Sequence, residues 1–94
     1  MEDGLVVEIE WDEGKRQKTL RERGLDFADV ALVDWERAII IPDRRHDYGE
    51  ERSTMMALLK GRLIIVAYTM RQDKLRVISM RKGNARERKI YDAF

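Results

Sequence analysis

Cysteine is absent from this 94-residue chain. Disulfides, thiolate metal sites and cysteine nucleophiles are therefore excluded, and the composition fits a reducing compartment. Histidine occurs once, at position 46, so a transition-metal site would have to take its other ligands from carboxylates alone. No metal or other cofactor is expected on that basis. The six glycines are scattered at turn positions and form no phosphate-cradling loop. Ser53 and Ser79 fall in expected strands with no paired histidine, which argues against serine catalysis. The longest apolar run, Leu63 to Ala67, is far too short to cross a bilayer, and the acidic start MEDGLVVEIEW lacks the basic region of a signal peptide. The expectation is a cytoplasmic protein with no membrane contact, folded as one domain over residues 1–94.

Charge is plentiful but segregated. The formal net charge is only +1, yet residues 1–13 carry six acids and no base. Residues 71–89 carry eight bases against Asp73 and Glu87, and the stretch KRQKTLRER carries five bases against Glu22. Separation of this kind points to a polyanionic partner on one side of the molecule; solvated helix faces are the alternative.

The pattern along the chain predicts the order β-α-α-β-β-β-β-α, an α+β domain with an antiparallel sheet. Val6 to Trp11 alternates as a half-buried strand. Asp12 is placed to cap a helix ending near Arg23, with Gly24 at its left-handed C-terminal position. Asp26 is placed to cap a second helix, Phe27 to about Trp35. Ala38 to Ile41 reads as a short strand ended by Pro42, and Arg52–Leu59 with Leu63–Thr69 as a hairpin around Gly61. Lys74–Arg81 is the last strand. Asn84 with Glu87 three residues later is a capping-box pattern, opening a final helix with Ile90 and Phe94 one turn apart. Leu63–Ala67 is apolar on both parities, as in a strand covered on both faces, and Met55, Met56, Met70 and Met80 offer an adaptable surface for a partner.

The residues left for chemistry are arginines, lysines and tyrosines near strand ends, with His46 among charges in DRRHDYGEER. Arginine binds phosphate through two points and stays charged. It can stabilise the charge that builds when a ribose 2′-hydroxyl attacks its own phosphodiester. An unperturbed histidine titrates near neutrality, which makes His46 a candidate general base, with an exposed loop histidine as the alternative, and Tyr48, Tyr68 and Tyr91 can donate a proton or stack on a base.

Several pieces, in order, resemble the BrnT family of type II toxins. They are Trp11-Asp12 with Lys15, Gly24 with Phe27, Tyr48-Gly49-Glu50 with Arg52, Arg76-x-Ile78-Ser79-x-Arg81, and Glu87-Arg88 with Tyr91. The resemblance covers nearly the whole chain. It implies a RelE-like fold with a curved antiparallel sheet, metal-independent RNA cleavage that blocks translation, and a BrnA-type ribbon-helix-helix antitoxin. Operator DNA would be reached only through that antitoxin. The catalytic set it suggests is Arg76 and Arg81 on the phosphate, Lys15 in support, His46 or Glu50 as base, and Tyr68 or Tyr91 as auxiliary acid or stacking group. Arg52, Lys82, Arg86, Arg88 and Tyr91 would hold the RNA.

Two features stand apart from the resemblance. Members commonly read Asn-Leu-x-Lys-His-Gly in the first helix, whereas here the residues are Thr19-Leu20-Arg21-Glu22-Arg23-Gly24. The family histidine is thus Arg23, which leaves open a module that kept the fold and lost cleavage, or a plain RNA binder. Arg76 and Arg81 are also five apart, so a regular strand would point them to opposite faces. A bulge, or a strand that ends before Arg81, would be needed to bring them to one site.

Overall fold

The computed structural model describes residues 8–45 and 47–94. The elements follow as β1 (Glu8–Trp11), α1 (Glu13–Arg23), 3-10 turns at Phe27–Leu32 and Trp35–Arg37, β2 (Ile39–Asp43), β3 (Arg52–Leu59), β4 (Arg62–Arg71), β5 (Lys74–Lys82) and α2 (Ala85–Asp92). Residues 6 and 7 of the expected first strand lie outside the described residues. The sheet order is β1-β5-β4-β3-β2. Strands β2 to β5 form an antiparallel meander, but β1 pairs parallel to β5, from Glu8 opposite Lys74 to Trp11 opposite Val77. The sheet is therefore mixed, and the expected all-antiparallel sheet is corrected. No local signal reports this pairing, because it joins residues more than sixty apart at a sheet edge.

Local chemistry explains most boundaries. The Asp12 carboxylate accepts from the Lys15 amide at 3.1 Å, and Gly24 closes α1 at φ 69°. α1 buries none of its residues and is held by polar anchors. The Arg16 guanidinium forks onto Asp26 at 2.8 and 3.0 Å, and lies 5.9 Å from the Trp11 ring centre. Arg23 donates to the Met80 carbonyl at 2.8 Å, on the part of β5 that β1 leaves uncovered.

The expected second α-helix is two 3-10 turns instead. Its buried residues, Phe27, Val30 and Val33, recur every third position, while Ala31 and Leu32 are exposed. That is the 3-10 period, not 3.6. Pro42 does not end β2: it lies within it, opposite Ser53, tolerated because β2 is an edge strand. The turn between β3 and β4 is Lys60-Gly61 with φ of 52° and 81°, the left-handed pair that suits a two-residue hairpin.

Two clusters fill the sheet faces. Phe27, Val30 and Val33 pack with Met55, Ile64, Val66, Tyr68, Val77 and Met80 on one face. On the other face, Met56, Leu63 and Ile65 pack only at one end, under Tyr91 of α2. Of the four methionines in or near the strands, Met55, Met56 and Met80 are thus core, and Met70 is exposed. Ile90 and Phe94, one turn apart, are both exposed. The inner contacts of α2 are made by Tyr91 and Glu87. Among the described residues, no helix is long and apolar enough to cross a membrane.

α2 is tied down at both ends. Asn84 and Glu87 form a reciprocal capping box, and Glu87 also accepts both terminal nitrogens of Arg81 at 2.9 and 2.7 Å. Arg81, together with the Asn84 amide, lowers the Glu87 carboxyl from the ordinary 4.5 to about 2. The Tyr91 hydroxyl donates to the Arg37 carbonyl at 3.0 Å.

Two outcomes follow from this anchoring. Replacing Tyr91 by Phe removes one partly buried hydrogen bond and should cost about 1 kcal/mol in denaturant unfolding. Because the Glu87 pKa is depressed on folding, its contribution is present above pH ~4.5 and is lost as pH falls toward about 2. Wild type should therefore melt above Glu87→Gln at pH 7, and the gap should close between about pH 5 and 2 in a melting series; a constant gap would contradict the assignment.

Candidate active site

The difficulty with Arg76 and Arg81 is resolved by a bulge. Ala67 of β4 pairs with Ser79 and Tyr68 pairs with Val77, leaving Ile78 without a partner. Arg76 is opposite Thr69 and Arg81 opposite Ile65, four residues apart on β4 and hence on one face. Cross-strand pairing extends that face in rows. Ile41, Thr54, Ala67 and Ser79 form one row. The next is Asp43, Arg52, Thr69, Arg76 and Glu10.

The result is a shelf. Its floor is Thr54, Ala67 and Ser79, three small residues that leave room above the sheet. Arg81 stands one row away on the α2 side, and Arg52 and Arg76 one row away on the other, so the guanidinium-bearing strands flank the floor at about 7 Å intervals. α2 covers the apolar end of this face and leaves the shelf open.

Each arginine is held by a carboxylate. Arg76 donates to Glu10 at 3.3 Å, and Arg52 to Glu50 at 3.2 Å. Arg71 reaches the other oxygen of Glu50 at 3.0 Å, and the Arg52 guanidinium lies 3.9 Å over the Tyr48 ring. Arg71, and after it Arg52, holds the Glu50 carboxyl below its usual range, so it is ionised at neutral pH. Arg76 and Arg52 keep about 29% of their side-chain surface open, Arg81 about 48%, so all three can meet a ligand. Arg81 differs in that both of its terminal nitrogens are already occupied by Glu87.

The other expected residues are placed as follows. Tyr68 projects to the opposite face, buried in the larger core, and burial raises its hydroxyl pKa. Tyr68 alternates with Ala67 and Thr69 along β4, so it does not share the face of Arg76 and Arg81. Tyr91 is buried under α2 and cannot stack on a base, because the inward face of α2 turns on it. Lys15 is exposed on the first turn of α1, directly after β1. Lys82 is exposed at the end of β5, and Arg86 and Arg88 are exposed on α2, with Arg88 paired to Asp92. His46 lies outside the described residues. Among the described residues, no group of three or more acidic or histidine side chains is arranged to hold a metal ion.

Sequence reasoning missed the floor and the two residues beside it. Thr54 and Ala67 carry no chemistry of their own, and Arg71 and Glu10 matter only through Glu50 and Arg76. The one available signal was the Arg76-to-Arg81 spacing, which demands a bulge if both arginines serve one site.

The family described as "Ribonuclease toxin, BrnT, of type II toxin-antitoxin system" matches residues 11–87. A search of curated proteins gave no match. Among solved structures, the chain is similar to the Brucella abortus ribonuclease toxin BrnT, determined at 1.1 Å. The two share 31% identity with a TM-score of 0.65, over 84% of this chain and 99% of that one. The matched segment contains the shelf floor and its three arginines, from β2 through β5 to Glu87, and on that match this chain belongs to the BrnT family of ribonuclease toxins.

Proposed function

We propose that the chain is an endoribonuclease that cuts RNA on this shelf without a metal ion, as the toxin of a type II pair. The observation that carries the reading is the bulge at Ile78, which gathers Arg52, Arg76 and Arg81 around a floor of small residues. The substrate supplies its own nucleophile. The 2′-hydroxyl attacks the adjacent phosphorus, the P–O5′ bond breaks, and the products are a 2′,3′-cyclic phosphate and a 5′-hydroxyl. A proton leaves the 2′-oxygen and one arrives at the 5′-oxygen.

Arg76 and Arg52 grip the phosphate, and their fixed charges meet the extra negative charge of the transition state. Arg81 contributes its field and its free Nε–H edge, held in plane by Glu87. Glu50 or His46 accepts the 2′-hydroxyl proton. A carboxylate with a lowered pKa is a weak base, so with Glu50 in that role most of the acceleration comes from the arginines. Lys15, exposed after β1, and Arg86, exposed on α2, are the further cations assigned to RNA in this reading. The RelE-like label, a BrnA-type ribbon-helix-helix antitoxin that reaches operator DNA, and a cytoplasmic location complete the proposal, all drawn from the family.

A second reading keeps RNA or antitoxin binding and drops cleavage. Two observations favour it: Arg23, in place of the family histidine, serves the β5 edge, and Arg81 is committed to Glu87.

Purified protein should cut RNA in excess EDTA and leave cyclic or 3′-phosphate ends, read by mass spectrometry. Activity abolished by EDTA and restored by Mg²⁺ would reject the metal-free route, and RNA bound but left intact would favour the second reading. Arg76→Ala should lower single-turnover cleavage by roughly 100- to 1,000-fold with much less effect on RNA affinity. A rate loss matched by a fall in melting temperature would make Arg76 structural.

A further inference from the structure

A second cationic surface lies at the far end of the sheet from the arginine row. The Lys60-Gly61 turn, the start of β4, the end of β5 and the start of α2 enclose an open groove of about 630 Å³. Lys60, Arg62, Lys82 and Arg88 line it, and no acidic residue does. Lys60, Arg62 and Lys82 are exposed, and their side chains make no hydrogen bond or ion pair among the described residues. Every shelf arginine, by contrast, has a carboxylate partner. Lys60 and Arg62 also border a neighbouring groove with Asp26 and Asp29, but Asp26 is committed to Arg16.

These three cations, two flanking one turn and one at the end of β5, repel one another, and among the described residues no ion pair, with Asp29 included, offsets that repulsion. A polyanion would. Two amides at the start of α2, those of Asn84 and Glu87, are already occupied by the capping box.

We infer that this groove binds the sugar-phosphate backbone of the RNA a few nucleotides away from the bond that is cut. The inference rests on the ribonuclease reading for its RNA and adds a binding site to it. Position supports it. Leu63, on the groove wall, is four residues along β4 from Ala67 on the shelf floor, about 13 Å at strand rise. Lys82 follows Arg81 directly, and the two alternate to opposite faces at the strand end. A single strand leaving the shelf past Arg81 therefore has to turn over the end of the sheet, between β5 and the start of α2, where it meets Lys82 and then Arg62 and Lys60. The groove is open, which suits a strand passing through and not an enclosed small molecule. Its contacts are charges on exposed side chains with no base-reading groups, so it sets affinity and length preference, not sequence.

Length dependence tests this directly. Binding of labelled, uncleavable 2′-O-methyl oligonucleotides of four and twelve nucleotides is measured by anisotropy over a salt series. The probes are wild type, the triple variant Lys60→Gln/Arg62→Gln/Lys82→Gln, and the charge-keeping Lys60→Arg/Arg62→Lys/Lys82→Arg. The triple neutral variant should bind the twelve-mer about ten-fold or more weakly at low salt, with a salt slope shallower by about 2 for three lost contacts on a single strand. The four-mer should bind all three proteins alike, and the charge-keeping variant should match wild type. Equal weakening for both lengths, or no weakening of the twelve-mer, would overturn the inference. So would a loss of polyglutamate binding as large as the loss of RNA binding, which would assign the groove to an acidic protein segment. None of these readouts needs cleavage: a wild type that prefers the twelve-mer through these cations yet cuts nothing would reject the ribonuclease mechanism and leave this site standing.

Discussion

Ile78 has no partner on β4, and the chemistry of the open face depends on that one unmatched residue. With regular pairing through Val77, Arg81 would turn toward the core beside Ile64, and Met80 would leave that core for the opposite face beside Ile65. The bulge keeps Val77 and Met80 together on the buried face while Arg76 and Arg81 share the other. A single added residue thus satisfies two demands. It maintains an apolar alternation for packing on one side and sets up a charge pattern on the other.

The carboxylates complete that pattern. Glu10, Glu50 and Glu87 each hold one or two arginines, and they come from β1, the loop before β3, and α2. The open face is consequently assembled from four parts of the chain. Glu87 is the most heavily used of the three, since it caps its own helix and fixes Arg81 with the same carboxylate. α2 contributes little apolar contact beyond Tyr91, so this polar tie is a main link between the helix and the sheet. The same division holds for α1, which buries no residue and is anchored by Arg16 and Arg23. A small domain with a modest core has placed ion pairs and hydrogen bonds where larger domains place side-chain packing. Surface pairs of this kind contribute little individually, and their value here is in orienting the groups they join.

Much of the fold was legible. Capping residues Asp12, Asn84 and Glu87 and the left-handed Gly24 act within a few residues of themselves, so their signals survive in the sequence. The β3 to β5 meander was legible because its turns are short and its strands long. The second helix was misread because Phe27, Val30 and Ala31 fit a 3.6 period over one turn; only Val33, buried in place of Asp34, reveals the period of three. The spacing of Ile90 and Phe94 marks a helix face but not which way it points, and both are exposed.

The sequence by itself determined the local elements, the separation of charge, and a set of motifs specific enough to place the chain with the BrnT toxins. It also posed the Arg76 and Arg81 problem without solving it. Tertiary structure alone decided that β1 joins β5 in parallel, that Tyr68 and Tyr91 are buried away from the shelf, and that Arg81 faces Glu87. These outcomes depend on contacts between residues far apart in the chain, where a shift of one residue in register exchanges the two faces of a strand. Alternation along a strand says which residues lie together; only the pairing partner says on which side.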